Sequence, residues 1–461
     1  MKIKKLCLAM AGVIAAGSAT AMLAACSEHY DLVYATWNLS TEAVNNIERQ
    51  MIKEFEERND VKIKIEESIS ITAYDESISA LAVKNKLPDV FMLSNINYGL
   101  RNQYVADITE LVEADKTGDW DKIPKPIEEA VHFKSGIYAI PFSMNIMGYF
   151  ANMDLLETYN ADDKLYDANG KFTYDSFYET VSAMSELKSS GIMGLNKEST
   201  VFEWYPASVN EAMGWFTWDG EKYSLDSAEF KDGLDKTKQL RSEGLTYDSL
   251  SEQDRSNYFD GVDGDVSLWD NGKLALRWGY SYEVPDMSEN VENIKFLGVP
   301  GGRTPIVGDY LAISKTCQNK ELAYKFAKWM SFDPSGIEER ITREKKVTNT
   351  LPMTTDAGLI QKYFDKFTLV DGLQIAYEDL DKGIVEGVKV VPGYNQSRWK
   401  AKTGLTITTK EGETIQDTEM GRYLDLCWTG EQTYAEHAAE CNKLANESYA
   451  NAIKSFENFY S

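Results

Sequence analysis

The strongest constraint on the fold is the way strand and helix periods alternate near the start of the chain. Leu32-Val33-Tyr34-Ala35-Thr36 reads as a strand, and Val44, Ile47, Met51 and Phe55 then recur at helical spacing on one face. Ser40 and Thr41 predict an N-cap for that helix, with Glu42 in its first turn. Val61, Ile63 and Ile65 alternate with Lys62 and Lys64, the period-two mark of a second strand. Residues 77–86 read as another helix, stopped by Leu87-Pro88, ahead of an all-apolar buried strand at Val90-Phe91-Met92-Leu93. Parallel strands need a crossover long enough to hold a helix, so this alternation predicts the α/β class, a parallel sheet covered by helices. In such sheets a ligand crevice lies beyond the carboxyl ends of the strands, which puts Trp37, Asn38, Ser94 and Asn95 at its mouth.

Farther along, Tyr138-Ala139-Ile140-Pro141-Phe142 reads as the entry of a strand, and a second lobe is expected to begin near residue 148. Residues 172–189 read as an amphipathic helix opened by Thr173. Residues 320–331 read as a helix with Leu322, Phe326, Trp329 and Met330 inward, and residues 432–459 as a closing helical region. Two dense aromatic groups fall outside any helical stripe: Trp204, Tyr205, Trp215 and Trp218, then Trp269, Trp278, Tyr280 and Tyr282. Trp and Tyr bury much area with few rotatable bonds, so such rings suit a ligand with flat apolar faces. Most aromatics in a chain of 461 residues nonetheless pack its cores, and Trp269 and Trp329 read that way. Trp204 is kept as a site candidate.

Charge and cysteine usage narrow the partners. Asp plus Glu outnumber Lys plus Arg by 73 to 48, a net charge of -25, which repels phosphate backbones and excludes nucleic acid as an expected partner. Cys317, Cys427 and Cys441 remain once the leader and Cys26 are set aside; a Cys427–Cys441 bridge is open, and core thiols are the expectation. The only histidines are His29, His132 and His437, with no HExxH and no CxxC, so neither a metal nor a cofactor is expected. Asp260-Gly261-Val262-Asp263-Gly264-Asp265 lacks the EF-hand order of ligands and reads as a solvated turn. No GxSxG elbow, Walker A loop or GxGxxG is present, so acyl transfer, nucleotide hydrolysis and dinucleotide chemistry lack their usual hardware.

The N-terminus reads as a targeting leader over residues 1–25. Lys2, Lys4 and Lys5 precede an apolar stretch from Leu6 to Ala21, interrupted only by Gly12, Gly17, Ser18 and Thr20. Its end, Leu23-Ala24-Ala25-Cys26, resembles the bacterial lipobox, which implies a diacylated Cys26, a tether over residues 26–30 and attachment at the extracytoplasmic face of the cell membrane. No apolar run of about 18 residues follows Cys26, so the rest of the chain is not expected to span a membrane.

Six segments, in order, resemble the extracellular solute-binding proteins of ABC importers, and most closely the family 1 carbohydrate branch that includes maltose-binding protein. Leu87-Pro88-Asp89-Val90 is similar to its PDV strand, and Gly136-Ile137-Tyr138-Ala139-Ile140-Pro141-Phe142 to its G-x-Y-x-x-P-Y/F segment. Residues 150–156 and 173–187 resemble the YYNKDLFE-like stretch and the helix opening T-W/Y-D-E-F. Asn271-Gly272-Lys273-Leu274-Ala275-Leu276 is similar to G-K-A-A-M, and Leu311–Lys315 with Asn319–Ala323 to A-I-S-K followed by N-K-E-A-A.

The resemblance implies a two-lobed periplasmic-binding-protein fold of type II, each lobe a mainly parallel sheet flanked by helices, joined by crossover hinge strands and closing on one ligand. It implies lobes of residues 31–147 with about 308–350, and about 148–307 with 351–461. Carried over position by position, it places Trp37, Ser94, Asn95, Asn145, Tyr280, Tyr282, Asp309, Tyr394 and Trp399 at the ligand. The partners it implies are a carbohydrate and the membrane permease of an ABC importer, served by a monomeric receptor that is no enzyme. A pyranose offers C–H faces and a rim of hydroxyls, so aromatic platforms edged with Asn and Asp fit it, and many rings favour an oligosaccharide. A peptide or polyamine ligand stays open, as does a surface glycoside hydrolase, which would need two carboxylates across the bond.

Overall fold

The computed structural model describes residues 29–39, 46–67, 69, 71–259, 262, 264–345, 351–367 and 370–457. The leader, Cys26, Ser40, Thr41, Glu42, Val44, Asp260, Gly261 and Asp263 lie outside the described residues.

A nine-stranded sheet runs through the molecule. Its strands are β1 (Leu32–Ala35), β2 (Ile63–Ile65), β3 (Val90–Leu93), β4 (Ile140–Asn152), β5 (Met193–Leu195), β6 (Leu274–Tyr280), β7 (Ile294–Gly298), β8 (Pro305–Ile313) and β9 (Ile384–Val385). The order is β2-β1-β3-β8-β4-β6-β5, with β9 added to β8 and β7 to β4. Pairs β1–β2, β1–β3 and β5–β6 are parallel, as helical crossovers require. β8 is antiparallel to both β3 and β4, and β4 is antiparallel to β6 and β7, so the middle of the sheet departs from the parallel expectation. The reason is that β4 and β8 run in opposite directions through the middle, each pairing with strands on both sides.

β4 shows why the sequence undersized it. The expected strand at 138–142 is the start of a thirteen-residue element in which every residue is buried. A strand covered on both faces has no alternation to read. The helices follow their periods more closely. Ile47–Asn59 buries Met51, Ile52 and Phe55, and Asn46 caps it, its Oδ1 accepting from Arg49 N at 3.2 Å. The second helix is Tyr74–Val83, shifted toward the N-terminus from the expected 77–86 because Tyr74 and Ile78 are its buried face. Tyr174–Ser185 carries the Thr173 cap, completed by Ser176 as a capping box. Lys320–Met330 stands as expected, and the closing region resolves into a short turn at Tyr434–Glu436 and a helix over Ala438–Glu457.

Two apolar clusters hold the helices on the sheet. In the first, Phe326 meets Tyr34 and Phe55 at ring distances of 5.1 and 5.2 Å, and Trp329 Nε1 donates to Met51 O. In the second, Tyr149 meets Phe177, Trp278 and Trp204 at 4.6, 5.2 and 6.0 Å. Each such ring, fully buried, is worth about 1.5–3 kcal/mol of transfer free energy. Cys317, Cys427 and Cys441 are buried free thiols, and burial pushes both Cys427 and Cys441 up to about 12. Helix Ala357–Lys366 packs by the first cluster, with Lys362 reaching Glu338 and Lys122 reaching Asp356, both at 2.9 Å. The last helix touches both clusters: Asn446 accepts from Tyr223 N, and Phe456 meets Phe133 at 4.7 Å.

Candidate functional site

The two long strands present one face to a common space. Along β4, Ser143, Asn145 and Met147 point the same way by the two-residue period, and across the register Ser143 faces Asp309, Asn145 faces Val307, and Met147 faces Tyr280. Contacts agree with the register. Ser143 Oγ donates to Asp309 Oδ2 at 2.8 Å, and Ser281 Oγ donates to Asn145 Oδ1 at 3.1 Å while accepting from Ile146 N. Glu386 follows β9, in which Val385 pairs with Ile306, so Glu386 falls on the Val307 and Asp309 side. Lys389, three residues on, donates to Asp309 Oδ1, and its carbonyl accepts from Ile96 N at 2.8 Å. A separate cavity of about 600 Å3 is lined by Val385 with Trp215, Trp218, Tyr449 and Arg303.

The first cluster closes one edge of this space with the carboxyl ends of β1 and β3. Trp37 stands edge-on to Tyr74 at 4.8 Å, with Tyr74 OH on Ala35 O. Asn38 shapes the loop: its N–H donates to Thr36 Oγ1, and its carbonyl accepts from Asn46 Nδ2. Asn95 caps helix Ile96–Arg101 through an Oδ1 bond from Tyr98 N at 2.7 Å. Ser94 Oγ, Asn97 Oδ1 and Asp75 Oδ1 are buried without a hydrogen bond of ordinary geometry. Burial raises the Asp75 carboxyl, and Ser94 beside it holds that rise back. Buried polar atoms without partners are costly, so a trio at the end of a parallel strand is the kind of group a ligand satisfies.

The second cluster contributes rings and charge. Tyr280 and Tyr282 stack at 5.0 Å and 19°, with Tyr282 41% exposed. Burial pushes the Tyr280 hydroxyl up to about 12, with Tyr282, Glu386, Glu283 and Glu203 adding to it. Glu203 accepts from Arg398 Nε at 2.7 Å, and Arg277 bonds Glu283 at 2.9 Å. Burial and the Glu203 charge push the Glu386 carboxyl up to about 7, against Lys389 and the Val388 backbone N–H.

The sequence-derived candidates therefore divide. Asn145, Tyr280, Tyr282, Asp309 and Ser94 come together, with Trp37 at the edge. Trp204 does not belong: it is 0% exposed inside the second cluster and offers no free ring face. Tyr394 is also enclosed, 2% exposed, accepting from Trp215 Nε1 at 3.1 Å, so it is no stacking platform. Trp399 is exposed but lies against Arg398, whose guanidinium sits 3.6 Å from its ring, one side chain removed from Glu203. Tyr74, Asp75, Ser143, Ser281 and Glu386 escaped sequence reasoning. Ser143 was within reach, since it lies two residues before Asn145 on one strand face. Among the described residues no cluster of His, Cys, Asp and Glu forms a metal site.

A family model described as bacterial extracellular solute-binding protein matches residues 50–367. The chain belongs to that family. No curated protein sequence matches this solute-binding protein. Solved structures do. An ABC substrate-binding protein of Listeria monocytogenes, in complex with cycloalternan, matches at 18% identity over 92% of this chain and 98% of its own, with a TM-score of 0.62. The sugar-binding protein MalE of Xanthomonas citri matches at 16% identity over 92% of this chain and 99% of its own, with a TM-score of 0.67. The cyclic alpha-maltosyl-1,6-maltose binding protein of Arthrobacter globiformis matches at 13% identity over 91% and 99%, with a TM-score of 0.65. The solute-binding protein thus has the two-lobed type II periplasmic-binding fold, with a central sheet flanked by helices. Among the described residues no helix is long and apolar enough to cross a membrane.

Proposed function

We propose that this solute-binding protein captures a carbohydrate, an oligosaccharide, in the cleft between its lobes and hands it to the permease of an ABC importer. The observation that carries this reading is the Tyr280–Tyr282 stack beside Ser143, Asn145 and Asp309 on the crossover strands. Rings pack on the C–H faces of a sugar, and amide and carboxylate groups pair with its hydroxyls. The fold neighbours from Listeria monocytogenes and Arthrobacter globiformis are described with oligosaccharide ligands, which supports the same ligand class here. In this reading the protein makes and breaks no bond and acts as a monomer. A diacylated Cys26 keeps it near the permease on the outer side of the membrane, where a two-chain anchor holds firmly. The first lobe comprises residues 31–147 and about 308–350 and the second about 148–307 and 351–461, less helix Ala357–Lys366, which packs beside Glu338 of the first.

The test is a thermal-shift screen against malto- and xylo-oligosaccharides, with spermidine and a tetrapeptide as controls. Ligand at 100 times its dissociation constant adds about 2.7 kcal/mol to the folded state, which raises the midpoint by several degrees. A shift with one glycan series alone is the expected result. A shift with spermidine alone assigns the acidic cleft to a polyamine. Release of reducing ends from a polysaccharide would replace the binding-protein reading with that of a surface glycoside hydrolase.

A further inference from the structure

Three neighbouring segments line the cleft side of the sheet, β4, β8 and the stretch after β9, and only the third brings a carboxylate without a cation of its own. Asp309 on β8 is tied to Lys389 and Ser143. Glu203, on helix Val201–Val209, is tied to Arg398. Glu283, beyond β6, is tied to Arg277. Among the described residues Glu386 has no ion pair, although it lies half-buried on the cleft face. The charged and titratable groups around it are Glu203, Tyr280 from β6, Tyr310 from β8, the enclosed Tyr394, and Lys389. The one nearby cation, Lys389, is already engaged by Asp309.

A half-buried carboxylate with a negative neighbour and no cation is an arrangement the fold alone would not favour. A ligand that donates a hydrogen bond to it repairs the deficit.

Resting on the carbohydrate reading above, we propose that Glu386 is a specificity-determining residue of the cleft: in its ionised form it accepts a hydrogen bond from a ligand hydroxyl held between Tyr280 and the crossover strands. A carbohydrate lacking a free hydroxyl at that position is rejected, because the carboxylate is then left with the Val388 backbone N–H alone against its burial and the Glu203 charge. The same geometry makes binding depend on pH. Burial and Glu203 set the Glu386 carboxyl at about 7, so the ligand-free protein is mostly protonated there at pH 6 and mostly ionised at pH 8. A ligand that needs the carboxylate must displace that proton at the lower pH, and affinity rises by up to about tenfold from pH 6 to pH 8.

The experiment is calorimetric titration at both pH values, using maltotetraose and xylotetraose as probes, on the native protein and on Glu386→Gln and Glu386→Asp. The expected result is tighter binding at pH 8 for the native protein and for Glu386→Asp. Glu386→Gln should bind more weakly at pH 8 with no pH slope, and its ligand-free melting midpoint should be unlowered. A Glu386→Gln protein that keeps the native affinity and slope overturns the proposal and leaves the carbohydrate reading standing. Binding of spermidine but of neither tetrasaccharide overturns the carbohydrate reading, and this proposal falls with it.

Discussion

Two clusters of charge in this molecule are built on opposite plans. Around Lys328 the books balance within the protein: its Nζ reaches Asp115 and Asp119 at 2.7 Å each and Thr117 Oγ1 at 2.6 Å, and Tyr324 OH adds a bond to Asp115. Burial alone would raise the Asp115 carboxyl, but hydrogen bonds from Lys328 and Thr117 outweigh it and hold the group down to about 2. Around Glu386 the groups are left short. Burial and Glu203 push that carboxyl up, and the one nearby cation, Lys389, is engaged by Asp309. The lesson is that burial of charge does not by itself mark a site. A closed set of partners marks structure, and an incomplete set at the ends of strands marks a place for a ligand.

Breaking each cluster should give opposite phenotypes. The largest effect is expected for Lys328→Met, which leaves two carboxylates facing each other without a cation. It should cost roughly 3–5 kcal/mol in urea denaturation and leave ligand affinity alone. Next, Tyr280→Ala should lower affinity for the stabilising oligosaccharide by about 1.5–3 kcal/mol, roughly ten- to hundredfold in Kd, with little change in stability. Trp204→Phe is its counterpart and should lower the melting midpoint without moving Kd.

Acid should find the first cluster as well. The Asp115 carboxyl is depressed in the folded state, so its contribution is complete above its ordinary value near 3.8 and is lost as pH falls through about 2. That contribution is about 2 kcal/mol. Native protein should lose it between pH 4 and pH 2 in equilibrium denaturation, and Asp115→Asn should not. The smallest effect is at Asn145. Replacing it by Ala should remove one ligand hydrogen bond, about 1 kcal/mol or roughly fivefold in Kd by calorimetry.

What the sequence shows and what it hides follow from the same physics. β1, β2 and β3 were legible because helices separate them and each is a short apolar or alternating run. β4 was not, because a strand buried on both faces shows no period. Asn145, Asp309 and Tyr280 were reached through motif resemblance, and the register supplies the reason they meet. Trp204 and Tyr394 misled because a ring in a loop-like stretch looks the same in sequence whether it faces a ligand or a core. Glu386 carried no local signal, since its place depends on β9 pairing with β8 some eighty residues earlier in the chain.

The place where a sugar sits tests the whole account most directly. A crystal structure should be determined with the oligosaccharide that stabilises the protein most. The account predicts a sugar ring against Tyr280, with hydroxyls at Asn145 and Asp309 and near Glu386. Sugar density instead in the cavity lined by Trp215, Trp218 and Tyr449, away from Asn145 and Asp309, would contradict it.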